Sequence, residues 1–177
     1  MSTLIEQQQQ NQVPAGNWQA DPIHSSVGFE VKYLGVATFT GELTNFEATL
    51  ADGELAGKAQ VASVEVKDEN LKAHLQAPDF FDAERHPEVT FSGTPVAPGR
   101  FEGNLTIKGV TRPASLEGTV TGPVTDPYGN ERYGLSLTTV VDRTAFGLDW
   151  NAPLPGGGFA LANDVTLKAE LSLVKAA

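Results

Sequence analysis

Hydrophobic residues occupy every second position along most of this 177-residue chain. In the segment SVGFEVKY, the residues Val27, Phe29, Val31 and Tyr33 share one face, and charged residues stand between them on the other. The segment DVTLKAELSLV repeats the pattern, with one face formed by Val165, Leu167, Ala169, Leu171 and Leu173. Successive side chains of a strand point to opposite faces, so this alternation predicts half-buried β-strands.

Further strands are predicted in ATFTGELTNFEATL, GKAQVASVEV, EVTFSGTPV, GRFEGNLTIKG, ASLEGTVTG and YGLSLTTVV. The segments ADGE, APGR, TGPVTDPYGN and APLPGGG separate them and are rich in turn-forming residues. About eight strands joined by short turns indicate either an antiparallel sheet closed into a barrel or a two-sheet sandwich. The apolar face carries large side chains in some predicted strands and small ones in others. This difference favours a barrel with a hollow interior.

Helix is scarce in this sequence. The segment KDENLKAHLQ predicts one short helix in which Leu71, His74 and Leu75 share a face and Asp68 caps the N-terminus. A second helical turn is expected at RTAFG, directly after Asp142. We therefore expect an all-β protein with one or two short helices.

The composition indicates one globular domain, predicted at residues 17–177 after a flexible arm at residues 1–16. The net charge of −10 opposes binding to nucleic acid or to anionic membranes. No segment has the length of a membrane-spanning helix. The absence of cysteine excludes disulfides and thiolate chemistry.

Few residues match the pattern of a catalytic or metal site. The three histidines, His24, His74 and His86, have no spacing typical of metal ligands, so we predict no metal. His24 and Ser25 would point to opposite faces of a strand, and no nucleophile elbow is present. We expect no catalytic residues and no cofactor.

Three cations stand beside predicted turns in this acidic chain. Two interpretations are open for Lys108, Arg112 and Arg143. They bind loop carbonyls and pair with Asp126, Asp142 or Asp149, or they contact a polar head group at a barrel mouth.

Four segments, in this order, resemble the YceI-like family of polyisoprenoid- or lipid-binding domains. They are WQADPIHSSVGFEVKYLGVATFTGELTNFEATL, LKAHLQAPDFFDAERHPEVTFSG, GNLTIKGVTRP and VDRTAFGLDWN, and the resemblance spans Trp18 to Val174. The sequence departs from the family at ENLKAH, where an Arg-Asp pair often precedes the histidine and Leu71 and Lys72 stand here.

The resemblance implies a lipocalin-like, eight-stranded antiparallel β-barrel with a hydrophobic tunnel. It implies non-catalytic binding, sequestration or transport of a long apolar lipid, such as a polyisoprenoid or an isoprenoid quinone, and a homodimer. A carrier of fatty acids or fatty amides is the alternative. A second alternative is an enzyme acting on a lipid or quinone in the same cavity, with His24 or a carboxylate near Phe80 as acid or base.

The residues expected to contact the ligand combine strand parity with the matched segments. Phe80 and Phe81 are expected to cover or line one end of the barrel. The full set is Phe29, Val31, Tyr33, Phe39, Leu43, Phe80, Phe81, Phe91, Leu105, Ile107, Leu135, Leu137, Phe146 and Trp150.

Many family members are secreted behind a signal peptide. The first residues, MSTLIEQQQQNQVPAGN, contain no basic segment followed by an apolar run. We therefore expect a cytoplasmic protein, or a periplasmic one if the chain is a processed form.

Overall fold

The structure, a computed structural model, describes residues 13–176 and contains eleven strand segments in one antiparallel sheet. Most of the predicted arm lies outside these residues. The strands are β1 (Asn17–Ala20), β2 (Ser26–Tyr33), β3 (Ala37–Leu43), β4 (Phe46–Ala51), β5 (Glu54–Gln60), β6 (Val64–Glu65), β7 (Glu88–Ala97), β8 (Arg100–Ile107), β9 (Val110–Thr125), β10 (Glu131–Asp142) and β11 (Leu161–Lys175).

The sheet closes on itself as an eight-stranded barrel, which confirms the predicted fold class. β11 pairs with β10 along one edge, and with β2 and then β1 along the other. β1 and β2 are therefore two segments at one barrel position. β3 and β4 share the next position, because β3 pairs with β2 and β4 pairs with β1. The pairing of β1 with β11 closes the barrel.

One α-helix, α1 (Glu69–Gln76), forms where the sequence predicts it. The carboxylate of Asp68 accepts a hydrogen bond from the backbone N–H of Leu71 at 3.0 Å, as an N-cap does. The second expected turn is a 3₁₀ helix at Arg143–Phe146, and Asp142 caps it by accepting from the N–H of Thr144. Both helical predictions are confirmed.

Three of the four segments predicted as turns form hairpins at one end of the barrel, between β4 and β5, between β7 and β8, and between β9 and β10. The fourth, APLPGGG, lies in the loop before β11 at the opposite end. Between β4 and β5, Asp52 and Gly53 both have positive φ, 51° and 83°. Two-residue hairpins favour such turns because their twist matches that of the strands. We call this the hairpin end; the opposite end, where α1 lies, is the helix end.

The hairpin end of the barrel is filled. Trp18 on β1 packs edge-on against Tyr133 on β10, with ring centroids 4.9 Å apart. Around it lie side chains with almost no exposed surface: Leu50, Phe101, Leu135 and Leu173. This half is a packed core.

β1 has no counterpart in the predicted set, because four residues are too few for alternation to distinguish a strand from a loop. The predicted single strand GKAQVASVEV is divided into β5 and β6 by a 3₁₀ turn at Val61–Ser63. The predicted single strand ATFTGELTNFEATL is divided into β3 and β4 at Thr44 and Asn45, where the chain moves from pairing with β2 to pairing with β1.

Candidate functional site

The helix-end half of the barrel encloses a cavity of about 600 Å³. Its wall consists mostly of aliphatic and aromatic side chains, which come from α1, from the loop before β11 and from every barrel strand except the short β1 and β6. Its floor is the packed core, reached at Leu137 and Leu171. Ligand pockets in proteins typically have volumes of about 300–1,000 Å³ and mostly apolar linings.

Strand parity builds the longest part of the wall. Across the β2–β11 ladder, Phe29 stands opposite Leu167 and Val31 opposite Val165, and all four face the cavity. Their intervening neighbours pair on the outer surface, where Lys168 and Glu30 form an ion pair at 2.7 Å. The alternation in the sequence thus separates a lipid-like interior from a charged exterior.

A glycine in the wall makes room for an aromatic ring. Gly41 on β3 pairs directly with Phe29, and the Phe29 ring lies over the space that a Cβ of Gly41 would occupy. The Phe29 ring therefore lies against the strand backbone and leaves the interior open.

α1 and the segment from Ala77 to Pro87 cover the helix end. Leu71, His74 and Leu75 of α1 face the cavity, as the predicted helix face requires. The chain then turns tightly, with the N–H of Phe81 donating to the carbonyl of Leu75 at 3.0 Å. Phe80 is 6% exposed, Phe81 is half-buried, and both line the cavity.

An aromatic cluster joins this cover to the loop that precedes β11. The His74 ring lies edge-on to Phe80 and to Trp150, with ring centroids 4.7 Å apart in each pair. His74 Nε2 also forms a hydrogen bond with Asp79 at 2.9 Å, which lowers the pKa of that carboxyl. This bond fixes the imidazole ring against the cavity wall.

Cationic side chains fasten the loops at the helix end. Lys108 Nζ donates to the carbonyl of Pro78 at 2.8 Å, and Arg112 Nε donates to the carbonyl of Ala145 at 3.3 Å. Arg143 donates to three carbonyls, those of Leu148, Trp150 and Ala162. The bonds to loop carbonyls are confirmed for all three residues. The expected ion pairs are not: Asp126 pairs with Arg132, and among residues 13–176 neither Asp142 nor Asp149 forms a salt bridge with any of the three cations.

Arg143 differs from the other two cations in its surroundings. It is 5% exposed and lines the cavity, whereas Arg112 is exposed outside it. Burial lowers the pKa of Arg143, since the charged form loses contact with water.

Twelve of the fourteen residues expected to contact a ligand line this cavity. The two that do not are Leu135, which is 1% exposed in the core at the hairpin end, and Phe146, which is 2% exposed in the packed part of the helix end. Leu135 has the same parity as Leu137 but lies one pleat nearer the filled end. The twelve cavity-lining residues are Phe29, Val31, Tyr33, Phe39, Leu43, Phe80, Phe81, Phe91, Leu105, Ile107, Leu137 and Trp150.

Several cavity-lining residues are missing from the predicted set. Leu71, Val165 and Leu167 stand on faces that the sequence identifies as apolar, so periodicity was sufficient to find them. Leu148, Ala152 and Ala160 come from the loop before β11, where no repeating pattern signals which side chains turn inward.

His24 lies outside the cavity, which contradicts its expected place in the enzyme alternative. Its side chain is 66% exposed, and its Nδ1 atom is 2.7 Å from a carboxylate oxygen of Asp21. His24 precedes β2, which begins at Ser26, and lies outside the filled part of the barrel beside Leu135 and Ser172.

Within residues 13–176, no three side chains of the metal-binding types are grouped closely enough to hold an ion. Across the same range, no helix is both long and apolar enough to cross a membrane.

Comparisons with known proteins agree with this architecture. The model of the YceI-like domain matches residues 18–173. A UPF0312 protein of Staphylococcus aureus strain USA300 is 29% identical over 162 residues, which cover 86% of this chain and 94% of that protein.

Solved structures share the fold at low sequence identity. BcnA of Burkholderia cenocepacia has a TM-score of 0.67 at 19% identity, covering 89% of this chain and 99% of BcnA. The YceI protein of Campylobacter jejuni has a TM-score of 0.67 at 24% identity, covering 82% and 90%. A polyisoprenoid-binding domain from Saccharophagus degradans has a TM-score of 0.64 at 10% identity, covering 90% and 98%.

Proposed function

Since the chain belongs to the YceI-like family, we propose that it binds a long apolar lipid inside the barrel and performs no chemistry on it. The observation that carries this proposal is the apolar cavity of about 600 Å³ at the helix end. A polyisoprenoid or the tail of an isoprenoid quinone has the slender, apolar shape that such a space accepts. The description of the Saccharophagus degradans domain as polyisoprenoid-binding supports the same ligand class.

Burial of the tail supplies the affinity. Each 100 Å² of apolar surface removed from water contributes about 2.5 kcal/mol. The cavity is already formed by strands and a capped helix, so little protein ordering opposes binding. Phe29, Phe81 and Phe91 add large aromatic surfaces to the wall.

The polar residues of the wall support a binding role. The Nε2 atom of His74 bonds to Asp79, and the Nε and Nη1 atoms of Arg143 bond to three loop carbonyls. A general base must lie within hydrogen-bond reach of the proton it removes, and the exposed His24 lies outside the cavity. Sequestration or transport therefore fits the site better than catalysis.

Native mass spectrometry of gently purified protein tests the proposal. We expect an added mass that corresponds to a lipid, and re-binding of an isoprenoid probe after delipidation. Protein that carries no lipid and binds neither isoprenoid nor fatty acyl probes would rule out the carrier function.

Phe81 and Glu84 allow a matched comparison at the cover of the cavity. Phe81→Ala removes a half-buried wall residue and should weaken lipid affinity by about 10-fold or more, since truncating a buried phenylalanine forfeits a few kcal/mol of contact. Glu84→Lys changes an exposed charge on the same segment and should leave affinity nearly unchanged. Titration of a fluorescent isoprenoid probe measures both; equal losses would argue against Phe81 as a wall residue.

The homodimer and the cytoplasmic location are separate proposals that rest on the sequence and the family. Size-exclusion chromatography with light scattering measures the mass in solution, and a mass near that of one chain would exclude the homodimer. Cell fractionation tests the cytoplasmic location.

A further inference from the structure

Arg143 is a buried cation with one nitrogen that has no hydrogen-bond partner. Nε donates to the carbonyl of Ala162 at 2.9 Å, and Nη1 donates to those of Leu148 at 2.6 Å and Trp150 at 2.8 Å. Nη2 is buried and has no partner. A buried donor without an acceptor is costly, so native proteins seldom leave one.

Within residues 13–176, Arg143 forms no salt bridge of 4.0 Å or less with a carboxylate. Asp142 and Asp149 act on its charge from a greater distance, and burial still lowers its pKa. The nearest candidate in sequence, Asp142, instead accepts hydrogen bonds from the N–H and hydroxyl of Thr144 at 2.9 and 2.6 Å. Three carbonyl dipoles offset only part of the cost of burying a full positive charge. This place in the protein therefore favours an additional hydrogen-bond acceptor, either a neutral oxygen or a negatively charged one.

Arg143 stands at the helix end of the cavity, near the other polar wall residue there. Arg143 binds the carbonyl of Trp150, and the His74 ring packs against the indole of the same residue. The opposite limit of the cavity is the floor at Leu137 and Leu171, which is apolar. The cavity thus has one polar end and one apolar end.

We propose that Arg143 is the head-group site of this cavity: an oxygen acceptor at the polar end of the bound lipid completes the hydrogen bonding of Nη2, and the tail runs toward Leu137 and Leu171. The inference rests on the proposed lipid-binding function and narrows its ligand class. A carboxylate and a quinone carbonyl both supply the acceptor, whereas a pure hydrocarbon or a cationic lipid does not.

Binding of four probes to the delipidated wild-type protein tests the site. Palmitic acid is compared with hexadecylamine, which has a similar tail and the opposite charge. An isoprenoid benzoquinone is compared with an isoprenoid hydrocarbon that lacks a head. We expect the acceptor-bearing member to bind about 10-fold or more tightly in at least one pair, because hydrogen bonds to charged groups are among the strongest.

The pair that shows the preference identifies the source of the acceptor. Preference for the acid alone indicates a carboxylate, and preference for the quinone alone indicates a carbonyl. Equal binding within both pairs overturns the head-group site and leaves lipid binding intact. If no probe binds, the proposed function itself fails, and the head-group site fails with it.

Variants attribute the preference to this residue. Arg143→Lys retains the charge but loses the planar set of donors, so the preference within the pair should shrink to about 2-fold or less while tail-driven binding remains. Arg112→Lys is the matched control, since Arg112 bonds one loop carbonyl from an exposed position, and it should keep the preference. A preference that survives Arg143→Lys would contradict the assignment.

Arg143 also donates hydrogen bonds to three backbone carbonyls, so the Arg143→Lys variant can fail to fold. A crystal structure of the wild-type protein with the preferred probe gives an independent test. We expect the acceptor oxygen within hydrogen-bond distance of Arg143; a head group at the floor of the cavity would overturn the inference.

Discussion

At the residue scale, the open interior depends on glycines that make room for phenylalanine rings beside the strand backbone. Phe29 folds over Gly41, and the ring of Phe91 similarly approaches Gly93 two positions further along β7. A glycine provides room for a ring to lie against the backbone. The cavity is therefore encoded by the small residues as much as by the large ones.

The first prediction concerns Gly41→Ala. The new methyl group would overlap the Phe29 ring and push it into the cavity. Overpacking of this kind typically costs about 1–3 kcal/mol in the free energy of unfolding, and the displaced ring should also weaken lipid binding. Denaturant unfolding and probe titration measure the two effects.

Gly57→Ala is the control for this variant. Gly57 also lines the cavity, but a Cβ there would meet its nearest atom at 3.6 Å, an ordinary contact distance. We expect little change in stability. Equal destabilisation by both substitutions would show that the Phe29 ring does not depend on Gly41.

A second residue-scale feature is the polar network around Arg132 at the hairpin end. Arg132 donates to Asp126 at 2.7 Å and to Asp21 at 3.1 Å, and so connects the β9–β10 turn to the segment after β1. Hydrogen bonds with His24, with the N–H of Ile23 and with Arg132 lower the pKa of Asp21 from 3.8 to about 2. The hydrogen bond from Arg132 holds the pKa of Asp126 still further below its usual range.

The second prediction is a loss of stability in acid. A carboxyl whose pKa is lower in the folded state stabilises the protein above its unfolded pKa, and this contribution disappears as pH falls through the folded value. For Asp21 the stability should therefore decline between about pH 4 and pH 2. Arg132→Met removes the main cause of the low pKa of Asp126 and a smaller contribution at Asp21. It should therefore make the acid decline shallower in urea unfolding measured between about pH 4 and pH 2.

Lys175→Met provides the comparison for Arg132→Met. Lys175 lies 3.9 Å from Glu131 in an exposed pair, which contributes little. Its acid profile should match that of the wild type. An unchanged slope for Arg132→Met would indicate that other carboxylates control the acid response.

Sequence reasoning located wall residues well where they lie in regular strands. Period two assigns Phe29, Val31 and Leu137 to the inner face, and the structure places them there. The same rule does not predict how far along the barrel axis a side chain lies. It therefore predicts Leu135 as a cavity residue, although Leu135 lies in the filled half. Alternation along a strand predicts which face of the sheet a side chain lies on. Its position along the barrel axis depends on the register in which the strands pair.

At the element scale, α1 determines how the helix end is covered. Its eight residues are too few to form a stable helix in isolation, so its stability comes from packing and from its cap. Asp68 supplies the cap, and Leu71 and Leu75 supply the packing. Loosening the cap should therefore loosen the cover.

The third prediction concerns Asp68→Ala. Loss of an N-cap side chain typically costs about 1 kcal/mol, and here it should also increase hydrogen exchange in α1. Asn70→Ala changes an exposed residue of the same turn and should have a smaller effect. Hydrogen-exchange mass spectrometry measures both variants. If exchange in α1 is the same in both, the cap does not hold the cover.

Local signals identify the helices and most strands. They indicate a loop at APLPGGG but not the path of the chain between Phe146 and Leu161. Both helical elements were found because a capping aspartate precedes each one. The loop has no periodicity, and three backbone carbonyls bound to Arg143 fix its course. Such long-range bonds leave no mark in neighbouring residues.

At the scale of the whole molecule, one half of the barrel is a packed core and the other half encloses a cavity. The packed hairpin end stabilises the fold, whereas the helix end has fewer packing contacts because of the cavity. The fold class was predictable because eight strands and a specific family resemblance agreed. The division into two halves was not, because it depends on which side chains meet across the barrel.

The fourth prediction follows from this hollow half. A ligand at about 100 times its Kd contributes about 2.7 kcal/mol to the free energy of unfolding. For a domain of this size we expect the Tm to rise by roughly 5–10 °C. Calorimetry with palmitic acid and with an isoprenoid quinone measures the shift, and a short-chain acid with the same head group should give much less. A similar shift with the short acid would indicate binding outside the cavity.

The pairing of β1 with β11 determines when the closed barrel forms during folding. Trp18 lies beside Lys175, so the closing contact joins residues separated by most of the chain. Contacts between such distant residues form late, because closing a long loop is entropically costly and slow. Until β11 has been synthesised and has docked, the interior is an open sheet with its apolar face in water. Under the proposed function, we therefore expect lipid to enter only after the chain has folded. The incomplete barrel is the state in which this chain most needs protection from aggregation.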